Sequence, residues 1–318
     1  MSGDFKCIPI TKRSRALHRA DFGCLKGVYA VNITLGCSFS CVYCYARGYE
    51  LAPPKGTVYL YHNLPLLLQR EGRHLPIGTP VIINTSSDCF QPHPDILKTT
   101  HDTLAVLLHR GFQVGILTKG IVPEGFKGLF SRYARQIQFT IGVVSLNEDY
   151  CRLFEPYAPL GTNRLASAER LKSWGINVRA RLDPLIPFFS DTEENIKSLL
   201  VGLKECGVQE IVLSYLQLRP RILENFQREL PPQISKLIFS CFPKKQWETT
   251  GSKTLSKMIP RSLRLKGYAR IQKIAQELGL KTIICRCKNP DLGLRGSCLP
   301  TELKTKKHKR FFQKRLFG

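Results

Sequence analysis

GCSFSCVYCYARGYE, residues 36–50, is the stretch on which the reading of this chain turns. Three cysteines, Cys37, Cys41 and Cys44, stand in a C-x3-C-x2-C array directly after an apolar run from Val28 to Leu35 that reads as a strand. A loop at a strand's C-terminal end can aim three thiolates at one spot. Thiolates at such spacing bind zinc or an iron–sulfur cluster. A structural zinc site usually wants four protein ligands, and the next cysteine is as far off as Cys89. Three thiolates on a four-iron cluster leave one iron open to chelate a small molecule and pass it an electron. A zinc loop and three packed thiols are the plainer alternatives.

Outward from the array the chain alternates. Strand-like runs are VYAVNITL (28–35), VIINT (81–85), FQVGILTK (112–119), IQFTIGVV (137–144), INVRARLDPL (176–185) and EIVLSYL (210–216). Helix-like segments fall between and after them, at 62–71, 95–110, 147–155 with 162–174, 192–206 and 221–228. β-Branched apolar runs alternating with amphipathic segments argue for βα units on a parallel sheet. Arg110-Gly111, Trp174-Gly175 and Cys206-Gly207 each close a helix just before a strand. The expected fold is α/β, a partial parallel (β/α)6 TIM-like barrel with basic N- and C-terminal extensions. Residues 1–27 form a basic lead-in, 28–228 the barrel, 229–303 a C-terminal region and 304–318 a basic tail. Within the C-terminal region, 229–260 reads as an irregular insertion because it holds Pro231, Pro232, Pro243 and Gly251. A helix over 262–279 then leads into a short strand ending at Cys285.

The array, with an aromatic just before its last cysteine, resembles the signature of the radical S-adenosylmethionine (SAM) enzymes. That resemblance implies a [4Fe–4S] cluster on Cys37, Cys41 and Cys44 and SAM chelated at the open iron. One-electron cleavage of SAM then gives methionine and a 5′-deoxyadenosyl radical. It places Tyr43 beside the adenine, and it implies a reducing electron donor such as flavodoxin or ferredoxin. NITLGCSFSCVYCYAR, then SSD-x2-QP, then LTK, is similar to the spore photoproduct lyase-like branch of that superfamily, across roughly residues 24–190. That lyase splits a thymine dimer in DNA and needs a cysteine hydrogen donor at the end of its second strand. The match puts Thr85 at the donor position, with Cys89 four residues further on. Cys89 is the candidate catalytic thiol if the loop swings it in, and otherwise a packed thiol.

In parallel α/β folds ligands lie at the C-terminal strand ends. The second strand ends in NTSSDCFQP, where Ser86 and Ser87 can bond the SAM amine or carboxylate. The third ends at Lys119, a cation costly to bury without an anion, which the SAM carboxylate would supply. The fourth ends near Ser145. On the fifth, Arg179, Arg181 and Asp183 alternate onto one face, either lining the cavity or forming an ion-pair network; Arg181 is the cofactor candidate. A second cysteine group, CRCKNPDLGLRGSC, sets Cys285, Cys287 and Cys298 where an auxiliary iron–sulfur cluster or zinc would fit. Cys7 and Cys24 stand alone and read as packed thiols.

Charge narrows the partner. Lys+Arg number 48 against 24 Asp+Glu, a net +24, which implies a polyanionic partner, most simply DNA or RNA. The tail carries seven Lys/Arg after Glu302, interleaved with Phe311, Phe312 and Phe317, and bases stack on aromatics. The apolar fraction of 43% suffices for a substantial core. No apolar run reaches the roughly eighteen residues a membrane span needs, and no signal-peptide core is present. Twelve cysteines without those features argue for metal binding in the cytoplasm rather than disulfides. The function expected is radical chemistry on a nucleic acid, as repair or base modification. The alternatives are a radical SAM enzyme acting on a peptide or protein, and a non-catalytic iron–sulfur nucleic-acid-binding protein.

Overall fold

The β-branched runs in the middle of the chain form one sheet. The computed structural model describes residues 5–21, 23–244, 247–249, 254–294, 299–300 and 303. Strands are β1 Lys6–Ile10, β2 His18–Arg19, β3 Tyr29–Val31, β4 Thr34–Leu35, β5 Thr57–Tyr61, β6 Pro80–Ile83, β7 Gln113–Thr118, β8 Ile137–Gly142, β9 Asn177–Leu185, β10 Glu210–Tyr215, β11 Gln217–Leu218, β12 Glu248–Thr249, β13 Leu255–Met258 and β14 Lys281–Ile284. Helices are α1 Leu64–Glu71, α2 Pro94–His109, α3 Lys127–Arg132, α4 Glu148–Phe154, α5 Gly161–Ser173, α6 Glu193–Glu205, α7 Pro220–Glu229, α8 Pro232–Ser240 and α9 Arg261–Glu277.

The main sheet runs β14-β10-β9-β8-β7-β6-β3-β2. All its pairings are parallel except that of β2 with β3. Among the described residues the sheet stays open, with β2 and β14 as its edges. This is the expected partial barrel, with β14 as a further parallel strand beside β10. Gly111, Gly175 and Gly207 all take positive φ, so the three helix-to-strand links turn through the left-handed caps the sequence called for.

Register fixes the two faces. Gly142, Arg181, Val212 and Ile283 are mutual partners along β8, β9, β10 and β14 and so share the concave face. Their alternates Ile141, Ala180, Ile211 and Leu213 lie in the helix-covered core. The concave face is partly polar: Arg179 bonds Thr140 at 3.1 Å and Glu210 at 3.1 Å, and Lys281 pairs with Glu210 at 3.1 Å. Val28, Ile82 and Leu303 form a separate apolar cluster, with Leu25 and Leu299 against it. A Cβ on Gly115 would meet Leu303 Cδ1 at 2.5 Å, so the glycine makes room for this plug.

Two expectations change. The run 28–35 divides: β3 joins the main sheet, while β4 pairs antiparallel with β5, which also pairs with β1. Residues 229–260 are not irregular throughout, since they hold α8 and the β13 strand that pairs with β11 and β12. Pro231 and Pro232 open α8 rather than break it, because the first helical N–H groups have no intrahelical partner to lose. The basic tail 304–318 lies outside the described residues.

Gly161 opens α5 beneath the end of β8, and a Cβ there would meet the Ser145 carbonyl oxygen at 2.1 Å. Backbone must shift to relieve that contact. Gly161→Ala is expected to cost about 1–3 kcal/mol. Gly125→Ala, where a Cβ meets nothing within 4 Å, should stay within roughly 0.5 kcal/mol. Chemical denaturation of the two variants checks the pair.

Candidate active site

The cysteine loop is built by hydrogen bonds to residues far along the chain. Gly36 takes φ +86°, and a Cβ there would lie 2.4 Å from Pro53 Cγ, so only glycine lets the chain turn off β4 here. Ser38 N donates to Gln91 Oε1 at 2.6 Å, and Gln91 Nε2 donates to Thr34 Oγ1 at 2.9 Å and to the Asp88 carbonyl at 2.6 Å. One fully buried amide therefore joins the chain on both sides of Cys37 to the loop after β6. Val42 N bonds the Phe154 carbonyl at 2.9 Å at the far side of the loop. Arg47 pairs with Glu229 of α7 and also reaches the Cys41 carbonyl at 3.4 Å.

Beneath the loop lies a buried charge network. Glu155 accepts from the Tyr43 hydroxyl and from Arg164, whose other nitrogens bond the Gly142 carbonyl at 2.9 Å and the Pro159 carbonyl at 2.8 Å. Glu155 and Arg164 are each 1% exposed. Burial alone would raise the Glu155 carboxyl; the Arg164 charge, then Lys119, outweigh it and hold it below the usual range. Tyr43 is pushed well up, first by burial and then by the Glu155 charge, so it stays a hydroxyl donor.

At the strand ends, Asp88 ties β6 to β7. Its carboxylate accepts from Thr118 Oγ1 at 2.6 Å, Lys119 N at 2.8 Å and Phe90 N at 2.9 Å. The Lys119 side chain crosses the small surface left by Gly142, where a Cβ would come within 3.3 Å of Nζ. Its ammonium stands 5.5 Å from the Tyr43 ring centroid. Among the described residues no carboxylate forms a salt bridge with it. Asn32 holds the neighbouring turn, donating to Thr85 Oγ1 at 3.0 Å and accepting from Ser86 N at 3.0 Å.

These elements surround a cavity of about 1120 Å³. Cys37, Cys41, Cys44, Tyr43, Ser86, Ser87, Lys119 and Arg181 all line it. The fit to a thiolate-bound cluster and a zwitterionic cofactor rests on three observations. Burial pushes the Cys41 thiol up to about 12, so its thiolate needs a cationic centre beside it. The Ser87 hydroxyl is buried on the cavity wall with no partner. Lys119 presents a half-buried ammonium there.

Two candidates fall elsewhere. Cys89 does not line the cavity: it is fully buried in the main core, with Asn84 Nδ2 3.0 Å from its sulfur. The loop 84–92 thus packs the Cys89 thiol into the core and puts Thr85 on the cavity wall. Ser145 does not line it either; its hydroxyl donates to Asn195 at 2.5 Å and accepts from Asn147 N at 3.0 Å, organising the start of α4. Arg181 realises both earlier readings, since it lines the cavity while pairing with Asp183 at 2.7 Å. Asp183 also pairs with Lys288 at 2.6 Å. Burial would raise its carboxyl, but Lys288 and then Arg181 hold it below the usual range. In the second cysteine group, Cys285 and Cys287 come together with Cys24, which had read as a packed thiol. Cys298 lies outside the described residues. Glu155 and Cys24 could not be found by spacing because they meet Tyr43 and Cys285 across long stretches of chain, and Arg164 belongs to no motif.

No family model matches the chain. It is 27% identical over 169 residues to an uncharacterised protein of Methanocaldococcus jannaschii, covering 52% of this chain and 63% of that one. An uncharacterised protein of Acidianus two-tailed virus is 23% identical over 237 residues, with 69% and 78% covered. One of Mycobacterium tuberculosis is 25% identical over 201 residues, with 60% and 59% covered. The match thus spans less than two thirds of the archaeal and mycobacterial relatives. Among solved structures, a spore photoproduct lyase mutant with dinucleoside spore photoproduct superposes with TM-score 0.67 at 14% identity, over 87% of this chain and 82% of that one. SuiB of Streptococcus suis bound to S-adenosylmethionine gives 0.51 at 11%, over 85% and 55%. The chain therefore has the partial-barrel fold of spore photoproduct lyase.

Glu229 couples the loop to α7 and yields a pH test. Burial would raise its carboxyl, but hydrogen bonds from Arg47, Arg228 and Lys55 lower it from 4.5 to about 2. A depressed carboxyl stabilises the fold above its unfolded pKa and ceases to do so as pH falls through the folded one. Stability should therefore decline between pH 4.5 and 2, and less steeply in Glu229→Gln. Denaturant midpoints across that window measure the difference.

Proposed function

We propose that this chain is a radical SAM enzyme that reductively cleaves S-adenosylmethionine at a [4Fe–4S] cluster and modifies a nucleic acid. The observation that carries the reading is the convergence of Cys37, Cys41 and Cys44 on one cavity with Tyr43, Ser86, Ser87 and Lys119. When bound, the cluster and SAM supply one-electron chemistry ending in C–H abstraction.

The chain's own residues do the positioning. Cys37, Cys41 and Cys44 hold the iron. Lys119, set by Asp88 through its backbone N–H, offers its ammonium to the SAM carboxylate, and Ser87 and Ser86 offer hydroxyls to the polar end. Tyr43, fixed by Glu155, gives the adenine a ring that cannot swing. Arg181 closes the wall beside Asp183. A donor such as flavodoxin or ferredoxin brings the electron.

Two features support a nucleic-acid substrate. The cavity exceeds the roughly 300–1000 Å³ of an ordinary small-ligand site, leaving room for a second molecule beside SAM. Its walls include Arg47, Lys55, Arg219, Arg221 and Arg228. Arg219 lies 4.7 Å over the Tyr45 ring, and Tyr49 meets Tyr45 edge-on. Guanidinium groups interleaved with aromatic rings suit a phosphate backbone with unstacked bases. A base would enter flipped or single-stranded. With Cys89 packed in the core, base modification fits better than dimer splitting by a cysteine hydrogen donor.

Changing Cys37, Cys41 and Cys44 together to Ala should abolish cluster absorbance and SAM cleavage after anaerobic reconstitution; cleavage that persists would end the reading. Lys119→Met should keep its iron and weaken SAM binding about tenfold, as expected from a charged hydrogen bond worth roughly 1.5–3 kcal/mol. Calorimetric titration reads the loss. Retention of single-stranded nucleic acid at moderate salt separates this substrate class from a peptide.

A further inference from the structure

Outside the active-site cavity, the cluster of reactive side chains that holds together best is Cys24, Cys285 and Cys287. Their sulfurs all lie within 4.8 Å of one another, and Cys285 and Cys287 are 3.3 Å apart. The cysteines of the first array form no such group. This difference separates two kinds of metal site. Thiolates about 2.3 Å from one tetrahedral ion stand roughly 3.8 Å apart. Thiolates on different irons of a cubane must stand wider. The first array does not meet that 4.8 Å limit, and the second trio has the spread of a single ion.

The trio is rigidly built. Cys285 is fully buried, and its N–H extends the sheet ladder to the Leu213 carbonyl at 2.9 Å. Asn289, 1% exposed, donates to the Cys285 carbonyl at 2.9 Å and is itself held by Arg264 at 2.6 Å. Cys24 sits in a single helical turn, Gly23–Leu25. A Cβ on Gly23 would meet Cys287 Cβ at 2.8 Å and Sγ at 3.0 Å, so a glycine lets the two turns touch. Arg181 Nη2 lies 3.7 Å from Cys285 Sγ, a cation suited to a thiolate. The soft, three-sulfur donor set selects zinc among common divalent ions.

We propose that Cys24, Cys285 and Cys287 bind one tetrahedral zinc ion as thiolates, with the fourth position taken by water or a further donor. The ion joins the loop that follows β2 to the end of β14, the two edges of the open sheet. It also fixes Lys288, next to Cys287, where it pairs with Asp183 on the cavity wall. The proposal is independent of radical chemistry at the first array.

The test uses the full chain with Cys37, Cys41 and Cys44 all changed to Ala, so that first-array iron does not interfere. Elemental analysis should find about one zinc per chain. Cobalt in its place should show tetrahedral ligand-field bands with thiolate charge transfer. Adding Cys24→Ser should weaken zinc, read by competition with a chromophoric chelator, by roughly tenfold or more, since even outer-shell changes at metal sites cost that much. If the serine variant fails to fold, the cobalt spectrum of the parent decides alone. Zinc affinity unchanged by Cys24→Ser, bound iron with sulfide in place of zinc, or a folded parent giving no cobalt bands would each overturn the proposal.

Discussion

The arrangement depends on one buried ion pair. Glu155 and Arg164 are both inaccessible to water, and neither could stay charged there without the other. Their pairing does more than neutralise charge. Glu155 takes the Tyr43 hydroxyl, and Arg164 takes the last carbonyl of β8. The neighbouring Phe154 carbonyl takes the Val42 N–H. A helix pair on the outside of the sheet thus sets the height and tilt of a loop at its mouth. Exchanging the pair for apolar residues would keep the volume and lose that directional hold.

A second layer of control comes from short polar side chains at strand ends. The Asp88 carboxylate accepts from Thr118, Lys119 and Phe90, which makes it structural despite its place on the cavity wall. Gln91 likewise satisfies the cysteine loop from beneath. Ser87 Oγ and the Lys119 ammonium are polar atoms on the cavity wall that this scaffold holds without occupying. Rigid neighbours and unspent donors are what a preorganised site requires.

Much of this was legible in the sequence, and the reasons differ by element. Strands β6, β7, β8 and β10 read clearly because both faces are largely buried and so rich in apolar residues, while β9 reads through apolar residues alternating with Arg179, Arg181 and Asp183. The array itself is local in sequence, so Cys37, Cys41 and Cys44 could be found by spacing. β5 escaped notice because it belongs to a small side sheet and is only half buried. The helix at Pro232–Ser240 was hidden by prolines that open it. Cys24 and Cys285 meet only because the sheet curls, and no spacing rule spans such a separation. Cys89 and Ser145 lie in the loops after β6 and β8, where one turn decides whether a side chain looks into the cavity or away from it.

The plug of Leu25, Leu299 and Leu303 against Val28 and Ile82 has a consequence for how the chain is made. The hollow side of the sheet is filled by Leu25, which precedes the cysteine loop, and by Leu299 and Leu303, which follow it by far. During synthesis the loop and its sheet neighbours leave the ribosome long before Leu303 does. Until then the inner face near β3 and β6 lacks its filling, and the loop is carried on an unfinished support. Assembly of the site is therefore vectorial: its chemistry is encoded early, and part of its foundation arrives much later.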